Sequence, residues 1–287
     1  MKMFLIIFYA LIQIVFEALP ISSSGHVLLF SVILKEKFAQ YLCVPDFFDH
    51  FLHLPTVLIL LVFFFKDWFT PFSMLFKNLG FGGKANAARA KNLFEIFYKI
   101  VKLGLVVDLI TAIFYFINHS FFEMFINSHA KFFLLFGFCI TATVLFMLHL
   151  KEKNNNEKIE SFDLKKAAIL GVVQGISLFP GISRFGVTYS CLKFMNLSSR
   201  RAFQVSFLVQ FPLILAAALK GTYDLFKFEN VKIFLSFSFL AALVVGLFIS
   251  YALFKMSYKL ALKNKLWYFA FYILLLIITF SSWFFIF

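Results

Sequence analysis

Long apolar runs separated by short polar connections dominate the pattern of this 287-residue chain. Six runs are long enough to cross a bilayer as helices, and they lie at about residues 51–65, 100–118, 132–150, 203–219, 233–254 and 266–287. The runs are continuous, whereas strands of a membrane barrel alternate apolar and polar residues at every second position. The pattern therefore predicts an all-α polytopic membrane protein with six transmembrane helices.

Two further apolar runs, at residues 3–34 and 167–194, are interrupted near their middle. Proline and glycine cause the interruptions, at 20–25 and 180–186, and both residue types end helices. Non-helical backbone at membrane depth persists only where it is buried in protein or lines a wet cavity. Each run is therefore predicted to form a re-entrant helical hairpin with a polar tip.

The two interrupted runs resemble each other at an offset of about 160 residues. The pattern P-x-S-x-x-G begins at Pro20, and P-x-x-S-x-x-G begins at Pro180. The order of the spans gives the two halves opposite orientations, which would bring both tips together near the membrane midplane. We expect one membrane domain over 1–287, with inverted repeats at about 1–120 and 160–287; a chance likeness between apolar helices is the alternative.

Basic residues are concentrated in alternate connections. The connections at 66–102, 151–166 and 255–265 carry seven, five and four Lys or Arg residues, and the intervening ones carry fewer. The positive-inside rule places these three connections in the cytoplasm and both termini outside.

Composition excludes two other classes of function. The chain has a net charge of +13, but 62% of its residues are hydrophobic and its lysines lie mostly in the connections, which argues against a nucleic-acid-binding face. Cys43, Cys139 and Cys191 are dispersed without a CxxC pair, so neither a disulfide framework nor a thiolate metal site is indicated.

The reactive side chains fall in the two interrupted runs. Gln13 and Glu17 are spaced i, i+4 on one helix face, and the hydroxyl-rich turn 22–24 and His26 follow. Arg184 begins the second returning helix and offers a fork suited to phosphate oxygens. A hydroxyl, an imidazole, a carboxylate and a guanidinium together suit phosphoryl transfer. Taken singly, Glu17 could be a helix–helix hydrogen bonder and the serines could be caps.

These motifs carry a family resemblance. QIVFEALPISSSGH, residues 13–26, resembles the (E/Q)xxxE-xxP-x-SSxGH signature of bacterial undecaprenyl-diphosphatases, the bacitracin-resistance membrane proteins. PGISRFGVT, residues 180–188, is similar to their PGxSRSxxT motif. The resemblance implies hydrolysis of undecaprenyl diphosphate to the monophosphate and inorganic phosphate, which recycles the lipid carrier of peptidoglycan synthesis and confers bacitracin resistance. It also implies six spans and two re-entrant hairpins.

The resemblance also implies roles for individual residues. Glu17 and His26 would be the acid–base pair, Ser23 the candidate nucleophile and Arg184 the clamp. The substrate-binding residues would be Gln13, Ser22, Gly25, Gly181, Ser183 and Thr188. A divalent cation, Mg²⁺ or Ca²⁺, would bridge the diphosphate to Glu17 and Gln13. Direct attack by water in place of Ser23 stays open.

The chain departs from the family pattern at Phe185, where the family commonly has serine, so a hydroxyl essential at this position is in doubt. Asp49 and His53 lie i, i+4 just before Pro55, and the sequence leaves open whether His53 joins the site or makes a structural hydrogen bond.

The expected partners are a polyprenyl diphosphate and the lipids of a bacterial plasma (inner) membrane. The oligomeric state is left open, with a homodimer as one arrangement. The rival function is a transporter that flips a polyprenyl phosphate without hydrolysis, because inverted repeats with broken helices are common in transporters. Transport needs anion binding but no nucleophile.

Overall fold

The computed structural model describes residues 2–38, 47–70, 84–153, 160–228, 231, 234 and 236–286, and every regular element within them is a helix. The helices are α1 Lys2–Phe16, α2 Ser23–Phe38, α3 Phe47–Phe51, α4 Leu54–Phe63, α5 Lys84–Ser128, α6 Ala130–Lys153, α7 Leu164–Ile176, α8 Arg184–Phe194, α9 Ser199–Lys227, α10 Phe237–Leu262 and α11 Phe269–Ile286. A short 3₁₀ helix, Leu266–Tyr268, precedes α11. The prediction of an all-helical protein is confirmed for these ranges.

Four helices carry segments long and apolar enough to cross a membrane: Phe94–Ile117, Ala130–Lys151, Ser199–Lys227 and Phe237–Leu262. They cover four of the six predicted spans and confirm the prediction of a multi-pass membrane protein. Their outward faces carry bare apolar side chains, such as Phe116 with 74% of its surface exposed, as lipid contact requires.

The other two predicted spans fall on shorter apolar helices, Phe47–Phe63 and Leu266–Ser282. A turn at Leu52 and His53, directly before Pro55, divides the first into α3 and α4. Proline has no N–H to donate and is tolerated in the first turn of a helix, so α4 starts afresh at this point.

The first interrupted run forms a helix, a turn and a second helix, as predicted. Helix α1 ends at Phe16 and α2 begins at Ser23. Between them Ser22 has a φ of +67°, a left-handed conformation that is uncommon for a residue with a side chain. The Ser22 hydroxyl oxygen accepts a hydrogen bond from the Gly25 backbone N–H at 3.2 Å, so Ser22 caps α2.

The second interrupted run has the same local construction. Ser183 precedes α8, and its hydroxyl oxygen accepts from the Gly186 backbone N–H at 3.1 Å. Gly181, two residues earlier, has a φ of +84°, which glycine adopts without steric cost. The shared S-x-x-G pattern thus has a physical cause, because in both runs the serine caps the returning helix.

The two interruptions contact each other. A Cβ atom on Gly25 would lie 2.9 Å from the Gly181 Cα, and one on Gly186 would lie 3.2 Å from the Pro20 carbonyl oxygen. Hydroxyls of neighbouring helices hold both turns. Thr141 of α6 donates to the Gly181 carbonyl at 3.0 Å and accepts from the Ser183 N–H at 2.9 Å, and Ser257 of α10 donates to the Ala18 carbonyl at 2.9 Å.

A cluster of phenylalanine rings fills the core beside the interruptions. Phe203 and Phe207 of α9 pack against Phe254 of α10 with ring centroids 5.4 and 4.7 Å away. Phe185 joins this cluster, with its ring centroid 4.6 Å from that of Phe207. The departure from the family motif at Phe185 is therefore an aromatic packing position in this chain, without a hydroxyl function.

Candidate active site

A partly open cavity lies where the two interruptions meet. Its polar lining is drawn from both interrupted runs, from α4 with the turn before it, and from α9: Gln13, Glu17, Ser22, Ser23, Ser24, His53, Thr56, Ser177, Ser183, Arg184 and Gln210. Its apolar lining includes Phe16, Leu19, Phe185 and Phe207. A cavity with convergent polar groups inside an apolar protein is the place to expect a ligand or a reaction.

Six of the residues predicted from the sequence line this cavity, namely Gln13, Glu17, Ser22, Ser23, Ser183 and Arg184. They come from positions up to 171 residues apart, between Gln13 and Arg184. Contact between the two turns brings them together, because each turn exposes the polar start of its returning helix to the same space.

Glu17 is hydrogen-bonded to the hydroxyl of Ser23. The Ser23 hydroxyl donates to Oε2 of Glu17, and the side-chain amide of Gln13 donates to the same oxygen at 3.3 Å. Gln13 lies one helical turn before Glu17, which explains the shared acceptor. A serine hydroxyl that donates to a carboxylate is the arrangement of a nucleophile with its base.

Arg184 is half-buried at the start of α8, and its side chain lines the same cavity. Within the described ranges its Nε has no hydrogen-bond partner. Gln13 Oε1, His53 Nδ1 and Thr56 Oγ1, also on lining residues, likewise lack a hydrogen-bond partner among the described residues. Buried polar atoms are nearly always paired, so four unpaired atoms around one cavity indicate that a polar ligand completes the site.

The predicted pairing of His26 with Glu17 and Ser23 is not formed in this structure, and the catalytic role of His26 stays a prediction. His26 is not among the residues that line the cavity. Its Nδ1 donates to the Ser22 carbonyl at 2.7 Å, and its Nε2 lies 3.0 Å from the Tyr272 hydroxyl. Both ring nitrogens are therefore engaged, and the ring packs edge-on against Phe16, with centroids 4.6 Å apart.

This geometry gives His26 a role in holding the turn at Ser22, whose backbone is left-handed. We expect His26→Ala to lower stability by about 2 kcal/mol, since it removes the side-chain hydrogen bond to the Ser22 carbonyl and opens a gap between aromatic rings. The backbone N–H of residue 26 donates to this carbonyl, at 3.1 Å, and does so with either side chain. Activity should fall together with the melting temperature in detergent. Glu17→Gln, which keeps the fold, should lose activity at an unchanged melting temperature. Lost activity without lost stability in His26→Ala would instead mean that the imidazole acts on the substrate.

Three residues predicted to bind substrate also lie off the cavity wall. Gly25 and Gly181 pack against each other at the contact between the turns, where side chains do not fit. Thr188 lies behind the wall. Its hydroxyl donates to the Arg184 carbonyl at 2.8 Å and accepts from the Gln210 side-chain amide at 3.1 Å. Gln210, which the sequence did not point to, lines the cavity in place of Thr188.

Sequence analysis also missed Thr56, Ser177 and Asp108. Thr56 of α4 and Ser177, in the turn after α7, are single hydroxyls in apolar surroundings and give no signal in the sequence. Asp108 does give a signal, because an acidic residue inside a predicted span is a functional candidate by default. Its Oδ1 accepts from the side-chain amide of Gln174 at 3.3 Å, and its charge acts on Arg184 from the side of α5.

The residues available to hold a cation are few. No group of three or more His, Cys, Asp or Glu side chains suitable for a metal occurs in the described ranges. Glu17 and the unpartnered Oε1 of Gln13 are two oxygen donors on one wall of the cavity. Two donors fit a hard cation that takes its remaining ligands from phosphate oxygens and water, as Mg²⁺ does.

Comparison with known proteins gives matches over nearly the whole chain. The family described as bacitracin resistance protein BacA matches residues 6–279. An undecaprenyl-diphosphatase of Borrelia hermsii is 32% identical over 279 residues, covering 95% of this chain and 95% of the relative. An undecaprenyl-diphosphatase of Thermosipho africanus is 33% identical, covering 93% and 95%, and one of Treponema denticola is 27% identical, covering 99% and 98%.

Proposed function

Because the chain belongs to the bacitracin resistance protein BacA family, we propose that it hydrolyses undecaprenyl diphosphate to undecaprenyl phosphate and inorganic phosphate. This activity recycles the lipid carrier of peptidoglycan synthesis and gives resistance to bacitracin. The observation that carries the proposal is the hydrogen bond from Ser23 to Glu17 in a cavity that Arg184 also lines. A nucleophile, its base and an anion clamp are the parts that phosphoryl transfer needs.

In the proposed reaction, Ser23 Oγ attacks the terminal phosphorus while Glu17 accepts the hydroxyl proton. The bond from phosphorus to the bridging oxygen breaks, and undecaprenyl phosphate leaves with the electron pair. Water then attacks the phosphoserine and loses its proton, while Ser23 recovers its own and inorganic phosphate leaves. The hydrogen bond from Ser23 to Glu17 supports attack by the serine. Direct attack by water would give this hydrogen bond no role in the reaction.

Anion binding in this proposal comes from Arg184 and the starts of α2 and α8. Phosphoryl transfer proceeds through a loose transition state, so charge neutralisation and positioning matter most. The guanidinium donates to the equatorial oxygens, and the unpaired N–H groups at the two helix starts point at the anion. Ser22 and Ser183 use their hydroxyl oxygens as helix caps, which leaves each hydroxyl proton free for a phosphate oxygen.

Following the family resemblance, we also propose that the site holds a divalent cation. Glu17 and Gln13 would bind this ion, which would be Mg²⁺ or Ca²⁺. The ion would supply charge neutralisation between the carboxylate and the diphosphate. The unpartnered Oε1 of Gln13 supports this assignment.

The membrane arrangement is also proposed. Helix pairs α1–α2 and α7–α8 are re-entrant hairpins of two inverted repeats, and the shorter apolar helices at Phe47–Phe63 and Leu266–Ser282 complete six spans of a bacterial inner membrane. The basic connections lie in the cytoplasm and both termini lie outside, which rests on the loop charges. A homodimer stays a prediction, which the mass of the purified protein in detergent would test.

Phosphate release tests the function directly. Purified protein in detergent with Mg²⁺ should release inorganic phosphate from undecaprenyl diphosphate, and Glu17→Gln should release almost none. Release by neither protein, together with flipping of a polyprenyl phosphate in vesicles, would establish the transporter in place of the hydrolase.

A further inference from the structure

The side-chain amide of Gln210 is held by its nitrogen, which leaves its oxygen for the cavity. Gln210 is buried on the cavity wall, with 3% of its surface exposed. Its Nε2 donates to the Thr188 hydroxyl at 3.1 Å and to the Ser206 carbonyl at 2.7 Å. These two bonds use both amide hydrogens, so Oε1 is the polar atom that remains for a group inside the cavity.

The partners of this amide fix its orientation. The Ser206 carbonyl can only accept a hydrogen bond. The Thr188 hydroxyl donates to the Arg184 carbonyl at 2.8 Å, so toward Gln210 it acts as an acceptor. Both partners therefore require the –NH₂ group, and a reversed amide would place its oxygen against two acceptors. Gln210 thus presents a hydrogen-bond acceptor to the cavity.

An acceptor at this position does not suit the phosphate groups of the substrate. Phosphate oxygens are themselves acceptors, and Arg184 and the two helix starts supply donors for them. Hydrolysis of the phosphoserine needs a neutral donor instead. This donor is a water molecule, which can bind an amide oxygen through its O–H group while its lone pair faces phosphorus. The proposed reaction otherwise gives this water no binding group.

Gln210 and Ser23 face the cavity from different helices. Helix α2, which begins at Ser23, packs against α1 and α6. Helix α9, which carries Gln210, packs against α3, α4, α5, α8 and α10. An in-line displacement brings water to the side of phosphorus opposite the serine oxygen. A group that binds this water is therefore best placed on a wall that α2 does not form.

We propose that Gln210 orients the water of the second half of the reaction: its Oε1 accepts a hydrogen bond from the water that attacks the phosphoserine at Ser23. The water oxygen forms its bond to phosphorus as the bond from phosphorus to the serine oxygen breaks. The serine oxygen takes the electron pair and recovers its proton from Glu17, and one water proton passes to a phosphate oxygen. The amide takes no proton. This inference rests on the proposed hydrolase function and adds a binding group for its water.

Quenched turnover separates the two halves of the reaction. Full-length wild type, Q210L and the control Q204L are given Mg²⁺ and substrate labelled in its terminal phosphate, in detergent. Q210L should show a kcat about 10²-fold lower, since displacement of a reactant by about 1 Å costs up to that factor. Its first turnover should release undecaprenyl phosphate at the wild-type rate, and the share of enzyme trapped as phosphoserine should rise. Gln204 of α9 donates to Asp67 at 3.0 Å outside the cavity, so Q204L should match the wild type.

Oxygen exchange measures the water step without the lipid. Reversal of this step joins inorganic phosphate to Ser23 and releases one phosphate oxygen as water, so the wild type should remove ¹⁸O from labelled phosphate. Q210L should exchange more slowly by a factor similar to its loss in kcat, and Q204L should not. Thr188→Val removes one acceptor that holds the amide and should lose part of the exchange, whereas Thr188→Ser keeps the hydroxyl and should lose less. Melting temperatures in detergent confirm that each variant is folded.

The outcomes distinguish this inference from the proposed function. Wild-type exchange by Q210L, or a first turnover slowed as much as kcat with no rise in trapped label, would overturn the role of Gln210. Recovery of Q210L at high Mg²⁺ would also overturn it, by making Oε1 a ligand of the cation. Exchange by the wild type without phosphate release from the lipid would overturn the proposed substrate alone, and Q210L would still decide on Gln210. Phosphate release by a wild type that neither exchanges nor traps label would keep the hydrolase and overturn this inference.

Discussion

Replacing Arg184 by alanine is expected to reduce kcat on undecaprenyl diphosphate by about 10³-fold or more in a protein that still folds. The side chain is half-buried, lines the cavity and has a buried Nε that is unpartnered within the described ranges. Its removal leaves the developing charge on the transferred phosphoryl group without its main cation. The folded state should survive, because a half-buried charge with incomplete pairing does not stabilise the protein in the absence of its ligand. Phosphate release from purified protein and the melting temperature in detergent measure the two effects.

Two further variants make the result specific. Arg184→Lys keeps the charge but loses the bidentate fork, so it should fall between the wild type and the alanine variant. Arg200→Ala removes an exposed arginine whose Nη2 lies 3.6 Å from Asp67 at the surface, and it should leave kcat unchanged. Near-normal phosphate release by Arg184→Ala would rule out the clamp.

Ser23→Ala is expected to reduce kcat by about 10³-fold or more, because the hydroxyl that donates to Glu17 is the proposed nucleophile. Acid quenching of the wild type during turnover of substrate labelled in its terminal phosphate should trap label on the protein, and the variant should trap none. A burst of undecaprenyl phosphate equal to the enzyme concentration would give the same answer kinetically.

Ser31→Ala is the matched control for this variant. Ser31 lies on the same helix, and its hydroxyl donates to the Leu28 carbonyl at 2.8 Å, outside the cavity. Its replacement should leave both turnover and the trapped label unchanged. If Ser23→Ala kept wild-type turnover without a phosphoserine, water would be the attacking group, and Glu17 would act on water directly.

The sequence motif and the structure place different histidines beside the Glu17 carboxylate. The SSxGH pattern makes His26 the expected partner of Ser23, only three residues away in sequence. In the structure the imidazole turns to Tyr272, 246 residues further along the chain, and His53 approaches Glu17 instead. Short sequence separation places two residues on one turn of a helix, but it does not aim both side chains into the same cavity.

Local features of the sequence determined where helices begin, end and break. Pro20 and Pro180 interrupt the apolar runs, and Ser22 and Ser183 cap the returning helices, because breaking and capping depend on the backbone within a few residues. Four apolar spans were predictable for the same reason, since hydropathy is a property of each run by itself.

Only the tertiary structure decided which side chains share the cavity. Thr56 of α4 and Gln210 of α9 line the cavity. Thr188 lies behind Gln210 and does not line it, although its motif suggested contact with the substrate. These outcomes depend on how closely the two turns approach and on the rotation of each helix against its neighbours. Packing between segments far apart in sequence sets both, and no local pattern of residues encodes it.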